Sequence, residues 1–191
     1  MSTLAWVYAP SMPRLFVAID FSEAVNSRLA GLCSSLPGAR WLPPEQFHLT
    51  LRFIGEVDGA AFADITDGLW DVACPPFSLS LRGIGHFPPR GRPRVLWVGV
   101  EPSDGMTRLH GGIEHRLRRL GIAPEGRRFA PHVTLARLKG ASLHRLGDYL
   151  ACHGGFATEA IPISSFQLYS STLGAKAAIH TIEASYPLVG G

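Results

Sequence analysis

Two short stretches of this chain share one form. "FHLTLRFIGEV" (47–57) holds His48, Thr50 and Leu51, and "PHVTLARL" (131–138) holds His132, Thr134 and Leu135. Each reads His-x-Thr-Leu within an apolar run. Eight histidines and eight threonines in 191 residues give a chance expectation of about 0.3 for His-x-Thr, and about 0.07 once both apolar positions are required. A lone histidine is more often a satisfied, partly buried side chain. Two in matched settings point to a site.

Residues i and i+2 of a strand project from one face. His48 and Thr50 therefore share a face, with Leu49 and Leu51 behind, and His132 and Thr134 repeat the arrangement over Val133 and Leu135. If the strands meet across a cleft, two imidazoles and two hydroxyls converge on one small volume. That set suits a phosphodiester. Imidazole titrates near neutral pH, so one ring can be neutral and the other protonated. The neutral ring takes a proton from water and the protonated ring gives one to the leaving oxygen. Threonine hydroxyls donate to non-bridging phosphate oxygens. Two imidazoles without a carboxylate partner make a poor metal site, so neither metal nor cofactor is expected. Arg137 would help neutralise phosphate. It lies five residues past His132 and faces away in a regular strand, unless a bulge brings it round.

The surrounding pattern supplies elements to hold these residues. "RLFVAID" (14–20) reads as a central strand. Ser22 stands as an N-cap before a helix to about Ser35, with Val25, Leu29 and Leu32 at helical spacing. "RWLPPEQ" reads as an extended connector to the first motif strand. Ala61, Ile65, Leu69 and Val72 mark a helix over 58–72. Residues 77–100 read as one long hairpin through the loop "PPRGRPR". Met106, Leu109, Ile113, Leu117 and Leu120 form one face of a third helix, with Gly121 as C-cap. A weaker helix covers about 142–150, and two last strands form a hairpin across "TLGAK". This order gives an α+β fold with mostly antiparallel sheets. The motifs are 84 residues apart, near half the chain, and their settings match. The expectation is a bilobal fold: two antiparallel-sheet lobes with outer helices, related by a pseudo-twofold axis through a central cleft.

Length and composition agree. A chain of 191 residues with 46% apolar content forms one compact two-lobed domain, here 14–191, and residues 1–13 read as a flexible extension. Those first residues lack the basic start and apolar core of a signal peptide, and no stretch is long enough for a membrane span. Three widely spaced cysteines argue for separately buried thiols and a reducing, cytoplasmic setting. A net charge of +3 permits a phosphate-bearing ligand. Further candidate ligand contacts are Phe47, Arg90, Arg92 and Arg94 in "PPRGRPR", and Arg127 and Arg128 before the second motif. His110 and His115 read as surface residues. His86, His144, His153 and His180 show no partner pattern.

"FHLTLRFIGEV", "RPRVLWVGV" and "PHVTLARL", with "RLFVAID" ahead of them, carry a family resemblance from 14 to 186. The chain resembles the RNA 2′,3′-cyclic phosphodiesterases, or 2′-5′ RNA ligase-like proteins, of the two-histidine phosphoesterase superfamily. The resemblance implies metal-independent hydrolysis of a terminal 2′,3′-cyclic phosphate on RNA to a 2′-phosphate. By analogy His48 is the general acid toward the 3′ oxygen and His132 the general base. Thr50, Thr134 and Arg137 hold the phosphate. It also implies ATP-independent 2′-5′ ligation, with an RNA 5′-hydroxyl in place of water. RNA ends are the implied partner, with Phe47 as a contact that could stack on a terminal base and Arg90, Arg92, Arg94, Arg127 and Arg128 as contacts to the backbone. A monomer is the expected state, since one chain holds both motifs. Two other functions fit the motifs: a cyclic phosphodiesterase for small nucleotides, and a non-catalytic protein that binds RNA ends.

Overall fold

A computed structural model describes residues 13–174 and 178–190. The extension expected over 1–13 lies outside them except for Pro13, whose carbonyl accepts from Val57 N. The elements are β1 (Arg14–Asp20), α1 (Glu23–Ala30), β2 (Ala39–Trp41), β3 (His48–Glu56), α2 (Gly59–Gly68), β4 (Phe77–Leu79), β5 (Leu81–Phe87), β6 (Val95–Val100), α3 (Asp104–Arg119), β7 (His132–Leu138), α4 (Leu143–His153), β8 (Ile161–Ile163), β9 (Ser165–Leu173) and β10 (Ala178–Pro187). Single 3₁₀ turns lie at Pro44–Gln46 and Leu69–Asp71.

The expected helices form where apolar residues recur at helical spacing. Ile65, Leu69, Leu109, Ile113 and Leu117 are buried, each removal from water contributing roughly 1.5–3 kcal/mol. Asp58 caps α2 by accepting from Ala61 N, and Ser103 caps α3 by accepting from Met106 N. Gly121, with φ of 81°, lies just past the end of α3. α1 stops at Ala30, short of the expected Ser35, because the chain turns after Gly31 and Ser35 takes a left-handed φ of 60°.

Eight strands form one antiparallel sheet in the order β10-β9-β1-β3-β7-β6-β5, with β2 also paired to β7. The hairpin expected over 77–100 is realised only from Leu81, as β5 and β6. β4 leaves it and pairs with β8 in a separate two-stranded sheet. The connector "RWLPPEQ" supplies part of β2, which pairs Ala39, Arg40 and Trp41 with Leu138, Arg137 and Ala136.

The twofold relation between the halves is written in the pairing. β3 meets β7 at a single antiparallel pair, Leu49 with Val133, and β4 meets β8 around Ser78 with Pro162. Both pairs are 84 residues apart, so each residue faces its own repeat equivalent and one axis passes through both pairs. The halves also exchange strands: β5 of the first pairs with β6 of the second, and β9 of the second pairs with β1 of the first. One apolar core runs through both halves, from Leu15 and Leu49 to Val133 and Phe166. Of the three cysteines only Cys74 is buried. Cys33 is half-buried and Cys152 exposed, because Cys152 lies on the solvent side of α4, so the expected trio of buried thiols is corrected. Among the described residues no helix is long and apolar enough to cross a membrane.

Candidate active site

The Leu49–Val133 pair fixes the site. Its antiparallel register sets His48 across from Thr134 and Thr50 across from His132. Leu49, Leu51, Val133 and Leu135 are fully buried, while the two histidines and two threonines are half-buried on the other face. Beyond that pair β7 bonds to β2 instead of β3, and Leu42 N donates to Leu135 O. The strands part there, and a cleft of about 1190 Å³ opens between the halves.

Each motif strand carries a bulge just after its threonine. Ala18 pairs with Thr50 and Val17 with Arg52, leaving Leu51 as the extra residue. Trp97 pairs with Thr134 and Leu96 with Ala136, leaving Leu135 extra. A bulge shifts the alternation by one position. Arg137 therefore rejoins the face of His132 and lines the cleft. On β3 the same step brings out Phe53, which is 57% exposed and also lines the cleft. The motif is thus duplicated as far as the bulge and diverges after it: arginine on one side, phenylalanine on the other.

Both imidazoles are held from behind. His132 Nδ1 donates to the carbonyl of Ala130, 2.7 Å away, and His48 bonds to the backbone of Gln46. Each acceptor lies two residues before its histidine. A carbonyl can only accept, so His132 carries its neutral-state proton on Nδ1 and presents the Nε2 lone pair. The surroundings of the rings differ. Phe16 lies 5.1 Å from the His48 ring and stacks on Tyr169, whose hydroxyl donates to Asp20. His180 stands edge-on to His48 at 5.6 Å. His132 contacts Phe87 edge-on at 5.0 Å and Trp97 at 6.3 Å. Trp97 can lie there because Gly85 faces it; a Cβ on Gly85 would meet the indole at 2.3 Å. Burial pushes His48 down to about 4, helped by the nearby His180. Burial also lowers His132, with Arg137 adding to the effect.

Eight arginines and two glutamates line the cleft, an excess of positive charge that favours a phosphate-bearing ligand. Arg52 is spoken for. It is 4% exposed, pairs with Glu114 and Glu125, and donates to Ala123 O, tying the loop before β7 to β3. Arg92, Arg94, Arg127 and Arg128 stand exposed along the rim. Arg90 is exposed at the hairpin tip and outside the cleft lining, so it is set apart from that group. Phe47 is corrected outright. At 2% exposure it belongs to the core, because alternation from His48 turns it to the opposite face, and it cannot stack on a base. His110, expected on the surface, is half-buried against Phe129 at 3.9 Å and lines the cleft, since α3 packs beside the loop that Arg52 anchors. Phe53, Trp97 and His180 were missed. Applying the bulge argument to both motifs would have found Phe53. His180 has no local signal, since only the fold of the last hairpin brings it to His48. Among the described residues no group of three His, Cys, Asp or Glu side chains is arranged to hold a metal ion.

Comparison with known proteins gives consistent matches. The model of the LigT like Phosphoesterase family matches twice, over residues 19–97 and 98–180. The RNA 2′,3′-cyclic phosphodiesterase of Aeropyrum pernix is 43% identical over 131 residues, covering 68% of this chain and 74% of the relative. Its namesake from Archaeoglobus fulgidus is 31% identical over 170 residues, covering 87% and 96%. The crystal structure of TT0787 of Thermus thermophilus superposes with a TM-score of 0.78 at 29% identity, covering 92% of this chain and 97% of that one.

Proposed function

This chain belongs to the LigT-like phosphoesterases, and on that premise we propose that it hydrolyses the 2′,3′-cyclic phosphate at an RNA end to a 2′-phosphate. The observation that carries the reading is the Leu49–Val133 register, which gives one cleft two imidazoles and two hydroxyls. The relatives' names supply the substrate class, and the arginine rim supports a polyanion.

The chemistry follows the two roles the rings can divide. His132 takes a proton from water through Nε2, and the oxygen attacks phosphorus. The bond from phosphorus to the 3′ oxygen breaks as His48 gives that oxygen a proton. The proton lost to His132 and the proton given by His48 balance over one turnover. Thr50 and Thr134 donate to the non-bridging oxygens, and Arg137 offsets the charge that builds there. With arginine and hydroxyls in those places, the reaction proceeds without a metal. An RNA 5′-hydroxyl replacing water at His132 would give 2′-5′ ligation by the same transfers. Both motifs lie in one chain, so a monomer is sufficient.

The test is an RNA ending in a 2′,3′-cyclic phosphate, incubated with the protein in EDTA, with the product identified by phosphorus NMR. A 2′-phosphate is expected, with kcat/KM lowered roughly 10²- to 10⁴-fold in His48→Ala and in His132→Ala. Turnover of mononucleotide cyclic phosphates alone would move the assignment to a small nucleotide. No turnover of either would leave a binding protein.

A further inference from the structure

His180 stands in the cleft without a part in the reaction above. It lies near the start of β10 and packs edge-on against both His48, at 5.6 Å, and Phe16, at 5.1 Å. The strand is drawn over the site there: Gln46, whose backbone also holds His48, donates from its side chain to the carbonyl of Ala178. His180 Nδ1 is buried and has no hydrogen-bond partner among the described residues. An orphaned lone pair costs less than an orphaned N–H, so the ring keeps its proton on Nε2. Any polar contact His180 makes must then use that N–H. Protonating the ring would strand a second N–H at Nδ1, and burial lowers its basicity in the same sense. His180 is therefore a neutral donor beside an imidazole that must itself gain a proton. Only at acid pH, where His180 is itself protonated, does it set a second cation against His48.

We propose that His180 is a substrate-contacting residue whose Nε2–H donates to a non-bridging oxygen of the substrate phosphate on the His48 side. This deepens the phosphodiesterase reading and rests on it. His180 then adds a donor to the phosphate's set on the side of His48, beside the Thr50 hydroxyl and the Phe16 ring.

Three replacements separate the contact from mere packing. Glutamine puts an amide nitrogen near Nε2, asparagine puts one near Nδ1, and phenylalanine keeps the ring but has no nitrogen. Two quantities are measured for each: kcat and KM on the cyclic-phosphate RNA end, and the affinity for inorganic phosphate, which needs no turnover. His180→Phe and His180→Asn should raise KM and weaken phosphate binding on the order of tenfold, the size expected for one hydrogen bond to a charged group, with kcat much less affected. His180→Gln should stay within about threefold of the wild type. Phenylalanine matching the wild type in both measurements overturns the contact, and so does asparagine rescuing where glutamine fails. If the wild type turns over no cyclic phosphate, the functional reading fails separately, and unchanged phosphate affinity in His180→Phe still decides against His180.

Discussion

His48 and His132 carry the same side chain on the same backbone pattern, and their surroundings make them different. His48 is held down to about 4 by burial and by the third imidazole beside it, and His132 is lowered from 6.5 by burial beside Arg137. The acid must be protonated and the base neutral. In the free protein both conditions coexist best in the acid range, because both rings are lowered. kcat/KM should therefore be bell-shaped with its maximum below pH 6.5, falling about tenfold per unit at neutral and alkaline pH. A bound phosphodiester anion beside His48 favours the protonated ring, so the kcat profile should be displaced to higher pH. Initial rates from pH 4 to 9 measure both; a kcat/KM still rising above pH 7 would contradict these roles. The sequence announced the two histidines and threonines, because strand alternation is local. It did not announce His180 or the burial of His110, which depend on contacts between distant segments.

At the scale of elements, the paired bulges decide what each wall of the cleft offers. The one on β7 turns Arg137 onto the face of His132. Arg137→Ala should lower kcat/KM about tenfold or more, and lysine should recover only part, since it lacks the planar fork that grips a phosphate. Full recovery by lysine would mean that charge alone matters. The bulge on β3 places Arg52 in the interior, where it answers Glu114 and Glu125. Arg52→Leu leaves Glu114 half-buried and unpaired and should cost about 3 kcal/mol in urea unfolding. Arg52→Leu with Glu114→Leu should be less damaging than the single change. α2 and α3 were legible because their apolar stripes are long and capped. β2 was not, since three residues after a glycine turn carry too little pattern. Nor was the parting of β4 from β5, which follows from its pairing with β8.

At the scale of the molecule, two repeats of 84-residue spacing build one active site between them. The repeat was legible from the motifs alone. The strand exchange was not, because it depends on which half each hairpin packs against. β5 has its sheet partner only in the second repeat, and β9 joins β1 of the first. Neither residues 13–90 nor 91–190 should fold alone, since each would expose an unpaired edge and half of a shared core. Circular dichroism through a urea titration would test this; a sharp transition in either fragment would show the halves to be independent.

The division of labour between the imidazoles can be read from one substitution in the substrate. Sulfur in place of the 3′ bridging oxygen gives a leaving group that departs without a proton. The loss caused by His48→Ala, measured as kcat/KM against the wild type, should shrink markedly on the sulfur substrate, while the loss caused by His132→Ala should persist. The reverse pattern would exchange the two roles. Equal losses on both substrates would contradict acid–base catalysis by this pair.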